Sequence, residues 1–362
     1  MINLQKTCKK KVKITVAIPC YNLQDRISVC LESVIAQDYK DIEILVIDDC
    51  SIDKSVEVIS SMIDLHPERE FRLIVNETNL GLCKVRNLAI KEARGEALYY
   101  LDGDDTIEPG TLSLFQRRME ETNAEVVTGA YRKKNTNGDT VSVKQYPEDT
   151  INGDFALATY IMKHIINHRT CSVGVTNRLY SLDFLRSHDI CCSTEYRTYE
   201  SSLFIFKVAL HARHISYLHD ITYNYFNVSD SITHQKKDLV FIHTVRAFVQ
   251  SVFYEKRDFE NNQKGQITHP GLLLLFGYIC LSNAKTRDVL KADVNKNEKK
   301  QYLRWLKGAF HKNGMRWRNI VGVYNRIIYF LLITPFPYSL LHFYFSHWKA
   351  VSKIVDKYAI CK

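Results

Sequence analysis

Three aspartates fall within four positions at Asp102, Asp104 and Asp105, with Gly103 between the first two, directly after the apolar run EALYYL (96–101). Carboxylates this close repel one another, and withdrawing them from water costs more again unless a cation compensates. The cluster is therefore either an acidic turn in water or a place where a cation sits. Hard Mg2+ or Mn2+ takes carboxylate oxygens and keeps coordination places for phosphate oxygens and water. One or two protein carboxylates suffice when a diphosphate supplies the rest. Other polar groups recur at comparable places: Cys20, Tyr21 and Asn22 after one apolar run, Asp48 and Asp49 after a second, Asn76 after a third. The ring and amide at 21–22 suit a base or a ribose, and Asp49 can accept hydrogen bonds from a base N–H or from ribose hydroxyls.

The elements that must position these groups alternate between two periods. KITVAI (13–18), IEILVI (42–47), FRLIV (71–75) and EALYYL read as strands. Ile27, Cys30, Leu31, Val34 and Ile35 lie at helical spacing behind Asp25 as N-cap. Val56, Ile59 and Ile63 make a second helical stripe behind Ser51 and Asp53, and 82–94 makes a third helix stopped by Gly95. Near-continuous apolar strands alternating with helices imply a parallel sheet covered on both faces. In such a sheet, ligands bind outside the carboxyl ends of the strands, and that is where all four polar clusters fall. No GxGxxG follows the first strand, which disfavours an ordinary dinucleotide site. Beyond Pro109 the pattern predicts a helix over 111–121, a strand EVVTGAY (125–131), and a loop to about Asn152. A mixed region runs to about Thr233 and a mostly helical one follows.

Composition sets outer bounds. With 362 residues, 46% hydrophobic and 25% charged, the chain is globular and long enough for two or more folding units. The formal charge of +9 is uneven: acidic clusters occupy the first 130 residues, while Lys285 to Arg326 is dense in Lys and Arg, which suits an anionic membrane surface or a nucleic acid. The ten cysteines show no CxxC spacing, and the N-terminal stretch lacks the features of a secretory signal, so the thiols are expected to be reduced and the compartment cytosolic.

VAIPCYN (16–22), LVIDDCSID (45–53), NLGLCKVRNLAI (79–90) and LDGDD (101–105) together resemble, in order and spacing, family 2 glycosyltransferases of the bacterial cell-surface polysaccharide type. The resemblance is strong over 12–130, thinner over 170–235 and absent afterwards. It implies a GT-A fold, a Rossmann-like α/β arrangement with a mixed, mostly parallel sheet sandwiched by helices and a helical C-terminal extension. It further implies inverting transfer of a sugar from a nucleotide diphosphate donor, by family default a uridine one, to an acceptor hydroxyl on a glycan or a lipid-linked acceptor. Carried over by position, Pro19, Tyr21 and Asn22 line the nucleotide pocket and Asp49 holds the base. Arg86 and Gly103 serve the donor side. Asp102 and Asp104 form the D-x-D motif that binds Mn2+ or Mg2+, with Asp104 the direct contact. The implied division is 1–130 for the nucleotide-sugar half, 131–235 for the acceptor half, and 236–362 for a helical, basic and apolar region. YNYFNVSDSITH (223–234) resembles a segment that closes over the donor diphosphate, with His234 in place of the usual basic residue.

One departure stands out. The family's general base is usually the Asp of a Glu-Asp pair, and RTYESSLFIF (197–206) has Glu200 followed by Ser201. A serine hydroxyl is no base near neutral pH, so the role passes to Glu200, with Glu195 and Asp189 as alternatives, or the protein is a weakened, sugar-nucleotide-binding relative. DGDDT (102–106) also satisfies the haloacid dehalogenase phosphatase signature, with Asp102 as nucleophile, although there the motif follows the first strand of the core and here it follows the fourth. A phosphorelay receiver would gather aspartates too, but would not explain Tyr21 and Asn22.

At the other end, IIYFLLITPFPYSLLHFYFS (327–346) has no Asp, Glu, Lys or Arg and is long enough to span a bilayer. Pro335 and Pro337 break a straight helix, and Trp317, Arg318, Trp348 and Lys349 flank it. The reading is two short helices in the interface, giving a cytoplasmic protein attached peripherally to the inner membrane face, with a true span or packing within the protein as alternatives. No nucleic-acid partner is expected.

Overall fold

The computed structural model describes residues 13–165, 174–194, 200–226, 238–262 and 286–312, with a few positions between 269 and 280. Strands β1 (Ile14–Cys20) and β2 (Ile42–Asp48) are buried along their whole length, as apolar strands covered on both faces must be. They pair in parallel, Ile14 opposite Ile42 through Cys20 opposite Asp48. Between them runs α1 (Ile27–Ile35), whose buried Ile27, Cys30, Leu31 and Val34 form the predicted stripe. Helix α2 (Ser55–Leu65), β3 (Glu70–Val75), α3 (Leu82–Glu92) and β4 (Ala97–Tyr100) complete the first half.

The sheet has ten strands in the order β3-β2-β1-β4-β9-β6-β10-β5, with β7 paired to β6 and β8 to β10. The first four are mutually parallel. The rest are mixed: β9 (Arg178–Ser181) lies antiparallel between β4 and β6 (Val126–Lys134). The long β10 (His214–Phe226) runs parallel to β6, antiparallel to β8 (Asp149–Asn152) and to the two-residue β5 (Thr106–Ile107). Helix α4 (Thr111–Thr122) packs on β6 and β10.

Several boundaries differ from the sequence reading. The polar stretch to Asn152 is not a loop: β7 (Thr140–Lys144) pairs antiparallel with β6, and β8 pairs with β10. These short, largely solvated edge strands carry little of the apolar alternation that betrays a strand. Asp25 caps nothing; α1 starts from Arg26 without a side-chain cap, because the preceding turn is closed by Arg26 and Ile27 N–H groups on the Leu23 carbonyl. Helix α3 ends at Glu92, capped by Ala93, and Gly95 has a different duty. A Cβ there would lie 2.6 Å from the Lys13 carbonyl oxygen, so only glycine lets the chain pass this close under β1.

A buried charge lies near the start of β2. Glu43 is fully buried and accepts from Thr15 Oγ1 (2.6 Å), Arg72 Nη1 (2.7 Å) and the Arg94 N–H (2.9 Å). Arg72 also reaches the Glu92 carbonyl and carboxylate. Burial pulls the Glu43 carboxyl up, but these partners outweigh it and hold it below the usual carboxylate range. The cluster knits β1, β2 and β3 to the end of α3.

The chain forms two compact units. One comprises 1–152, 175–192 and 214–229, so the sheet recruits β9 and β10 from far along the chain. The other comprises 153–174, 193–213 and 230–362, and holds α5 (Ala156–Tyr160), α7 (Glu200–His211), α8 (Leu239–Asn262), α9 (Thr286–Lys291) and α10 (Lys296–Lys312). Helix α6 (Leu182–Ser187) belongs to the first unit, where it touches α3. Among the described residues no helix is long and apolar enough to cross a membrane. The 327–346 segment lies outside the described residues.

Candidate active site

The carboxyl ends of β1 and β2 give rise to two loops that are laced together. Asn22 takes the left-handed conformation (φ 52°), donates its N–H to Ser51 Oγ, and accepts the Ile52 N–H on Oδ1 at 2.9 Å. One step along, Leu23 N–H reaches Ser55 Oγ and Gln24 N–H reaches Asp53, while Lys54 N–H returns to Gln24 Oε1. Asn22 thus spends its carbonyl oxygen on structure, a role the sequence did not reveal. Tyr21 stands beside this lacing with its ring half exposed.

Asp48 and Asp49 divide the labour. Asp48, fully buried, accepts from the Ser51 N–H and hydroxyl. Asp49 accepts the N–H groups of Leu80 (2.8 Å) and Gly81 (2.7 Å) and the Asn76 side-chain amide (2.9 Å), and its carbonyl accepts from Asn79. Both carboxylate oxygens therefore fix the 76–81 loop that leads into α3. The cysteines around this floor are not nucleophiles: burial and the Asp48 charge push the Cys20 thiol up to about 12, and burial raises Cys30 well above its ordinary value.

The acidic turn follows β4. Gly103 lets it approach β1, since a Cβ would lie 2.8 Å from both the Pro19 carbonyl oxygen and Leu23 Cδ1. Each aspartate has a separate environment. Asp102 Oδ1 accepts from Arg86 Nη2 at 2.8 Å, and Arg86 is buried rather than at the surface of α3. Asp105 is buried and accepts the Tyr223 hydroxyl at 2.7 Å and the Phe226 N–H at 2.8 Å. It therefore fastens the end of β10 to the turn. Burial and the Asp102 and Asp104 charges push the Asp105 carboxyl up to about 8. Burial, then the Asp102 charge, raises Asp104 as well, with Arg26 opposing. Excess negative charge with two raised carboxyls is an electrostatic demand for a cation. The residues present would fit one: Asp104 and the second oxygen of Asp102 would supply one or two carboxylate ligands to an ion completed by diphosphate oxygens. Among the described residues, no three His, Cys, Asp or Glu side chains form a ready-made metal cage.

Sequence reasoning missed Asn177. It is buried, takes the left-handed conformation, donates to the Gly129 and Ala130 carbonyls, and accepts the Tyr99 and Thr222 hydroxyls. It joins β4, β6 and β10 behind the acidic turn. No short-range pattern marks it, because its partners lie 45 or more residues away. Of the proposed bases, Glu200 opens α7, but its side chain lies outside the described residues, as do Glu195 and His234. Asp189 is exposed and closes α6 with positive φ, and Ser201 is partly buried on α7.

Residues 15–187, which hold the loops after β1 and β2 and the acidic turn after β4, match the family model described as glycosyl transferase family 2. These residues are a family 2 glycosyltransferase domain. The chain is 28% identical over 216 residues to the poly(ribitol-phosphate) beta-N-acetylglucosaminyltransferase TarS of Staphylococcus aureus, covering 59% of this chain but 35% of that relative. It is 24% identical over 222 residues to the uncharacterized glycosyltransferase EpsJ of Bacillus subtilis, covering 61% and 62%. The matched stretch thus spans about a third of the length of TarS. The crystal structure of TarS 1–349 in complex with UDP-GlcNAc superposes with a TM-score of 0.65 at 20% identity, covering 89% of each chain. The GT-A fold expected from the sequence is thereby established. The family 2 assignment disfavours the phosphatase alternative, since DGDD lies inside the matched glycosyltransferase segment.

Proposed function

We propose that this family 2 domain transfers a sugar, with inversion, from a uridine diphosphate donor to a hydroxyl of a cell-surface glycan or lipid-linked acceptor. The observation that carries the reading is the convergence of the laced Tyr21–Asn22 and Asp49 loops with the DGDD turn, joined through Gly103 to the end of β1. TarS, which shares the fold, has been crystallised with UDP and with UDP-GlcNAc, which supports the choice of base. Pro19, Tyr21 and Asn22 line the nucleoside pocket beside Asp49, which orders the 76–81 loop around the base.

Asp104, with Asp102, would hold Mn2+ or Mg2+, which when bound stabilises the charge that builds on the departing diphosphate. Arg86 orients Asp102 through its guanidinium hydrogen bond. The acceptor proton needs a base on the opposite face of the sugar, and Glu200 takes that role in place of the usual aspartate. Peripheral attachment to the cytoplasmic face of the membrane would bring a lipid-linked acceptor to this site.

The test is a thermal-shift and nucleotide-release screen of sugar nucleotides with Mn2+ or Mg2+, with Asp104→Ala alongside. Donor with metal should raise Tm by mass action, and Asp104→Ala should abolish that rise. A rise that survives Asp104→Ala unchanged refutes the metal role, and no response to any sugar nucleotide refutes the reading. Ser201 favours one second reading, a weakened sugar-nucleotide-binding protein, which donor stabilisation without product would single out.

A further inference from the structure

We propose that Asn87 is a positioning residue for the metal site: its clamp on Cys192 fixes the turn of α3 from which Arg86 reaches Asp102. The inference rests on the glycosyltransferase reading above and extends it to a residue outside the donor-lining set. The clamp has two bonds. Asn87 Oδ1 accepts the Cys192 N–H at 2.7 Å, and Asn87 Nδ2 donates to the Cys192 carbonyl at 2.8 Å. One side-chain amide thus satisfies both backbone groups of a single residue, and so fixes its orientation as well as its distance. Cys192 is buried, lies 105 positions after Asn87, and falls beyond the segment 15–187 that matches the family model. All of these residues belong to the first compact unit.

Helix geometry connects the clamp to the acidic turn. Asn87 follows Arg86 directly, so the two side chains leave α3 about 100° apart. A rotation of the helix that breaks one contact therefore swings the other. Asp49 holds the start of α3 through the Leu80 and Gly81 N–H groups, and Arg186 of α6 donates to the Ile90, Lys91 and Ala93 carbonyls at its far end. The Tyr100 hydroxyl reaches the Arg86 carbonyl at 2.8 Å. Helix carbonyls point along the axis, so that bond resists sliding more than rotation. Asn87 is the side-chain anchor beside Arg86 that resists rotation. The angle matters because Arg86 Nη2 takes Asp102 Oδ1 at 2.8 Å and leaves Oδ2 for an ion. A guanidinium on a loosened helix can fork across both oxygens, the geometry that arginine and carboxylate favour, and compete with the ion.

The test measures Mn2+ binding to the full chain with UDP present, from the paramagnetic resonance signal of free Mn2+, and UDP binding in chelator by calorimetry. Asn87→Ala should weaken Mn2+ binding about fivefold, less than the loss of a direct partner of a metal ligand causes. UDP binding in chelator should stay within about twofold. In an Arg86→Gln background the same substitution should change Mn2+ affinity by less than about twofold, because the contact through which it acts is gone. Alkylation of Cys192 in the native chain, followed by mass spectrometry, should quicken about tenfold as two hydrogen bonds are lost. Asn87→Asp keeps the shape and the bond from the Cys192 N–H; it should fall between wild type and Asn87→Ala, and replaces the latter if that variant does not fold. Unchanged Mn2+ binding, equal losses of Mn2+ and UDP, full additivity with Arg86→Gln, or weakened Mn2+ binding with Cys192 still protected overturns the proposal. So does a wild-type chain that binds UDP but no Mn2+. A wild-type chain that binds no UDP refutes the glycosyltransferase reading instead, so the two failures separate.

Discussion

Arg86 Nη2 lies 2.8 Å from Asp102 Oδ1, joining the buried side of α3 to the first carboxylate of the acidic turn. The Arg86 side chain is only 4% exposed, whereas Asp102 keeps 29%, so loss of the guanidinium leaves a carboxylate that water can partly reclaim. Arg86→Gln should therefore cost about 2 kcal/mol, below the full penalty for orphaning a buried charge. Urea titration should show a lower midpoint with unchanged slope. Nucleotide release from a sugar nucleotide should fall by about tenfold or more, as expected when a charge-positioning contact is removed.

Asp105 sets a pH dependence of opposite sign to that of most carboxylates. Its folded value of about 8 stands above the ordinary one, so between the two the folded chain holds a proton that the unfolded chain has released. Stability should accordingly fall as pH rises from about 4 towards 8 in the presence of chelator. Tm measured across that range should decline, Asp105→Asn should flatten the decline, and Mn2+ should restore stability at the upper end.

Glu43 supplies the conventional sign at the other end of the sheet. Its carboxyl is held low in the folded state by Arg72, Thr15 and the Arg94 N–H, so its contribution is present above the unfolded value and lost as pH falls through the folded one. Glu43→Leu removes a buried charge but strands Arg72, and should cost about 3 kcal/mol near neutral pH. The gap to wild type, followed by denaturation at several pH values, should narrow below about pH 4. Donor binding should be unaffected, since the cluster lies at the amino ends of the strands.

Gly103→Ala tests whether the acidic turn must lie against β1. The added methyl meets the Pro19 carbonyl and Leu23 at 2.8 Å, and backbone cannot yield as a flexible side chain can. The turn should shift by a few tenths of an ångström at a stability cost of about 1–3 kcal/mol. Metal-dependent donor stabilisation should weaken more than thermal stability does. Equal, small effects on both would show the approach to be incidental.

The parallel half of the fold was legible because each strand is a short apolar run closed by polar residues, and burial on both faces writes that directly into β1 and β2. Asp102, Asp104 and Asp49 stood out for the same reason, as charge placed where apolar sequence stops. What the sequence hid was division of labour. Nothing distinguishes Asp105 from Asp104 until Tyr223, 118 positions later, claims it. Asn22 reads as a ligand group until the Ile52 N–H occupies its oxygen. β7 and β8 escaped notice because edge strands need no apolar alternation, and Asn177 because its four partners come from three distant strands.

The cross-stitching of Asn22 to Ile52 and of Gln24 to Lys54 has a thermodynamic corollary. A cradle already tied down by its own backbone surrenders little disorder when a nucleoside arrives, so less of the contact energy is consumed in arranging the receptor. Uridine alone, without its phosphates, should then retain measurable affinity, and cutting a single stitch with Asn22→Ala should slow its capture while leaving the bound pose unchanged.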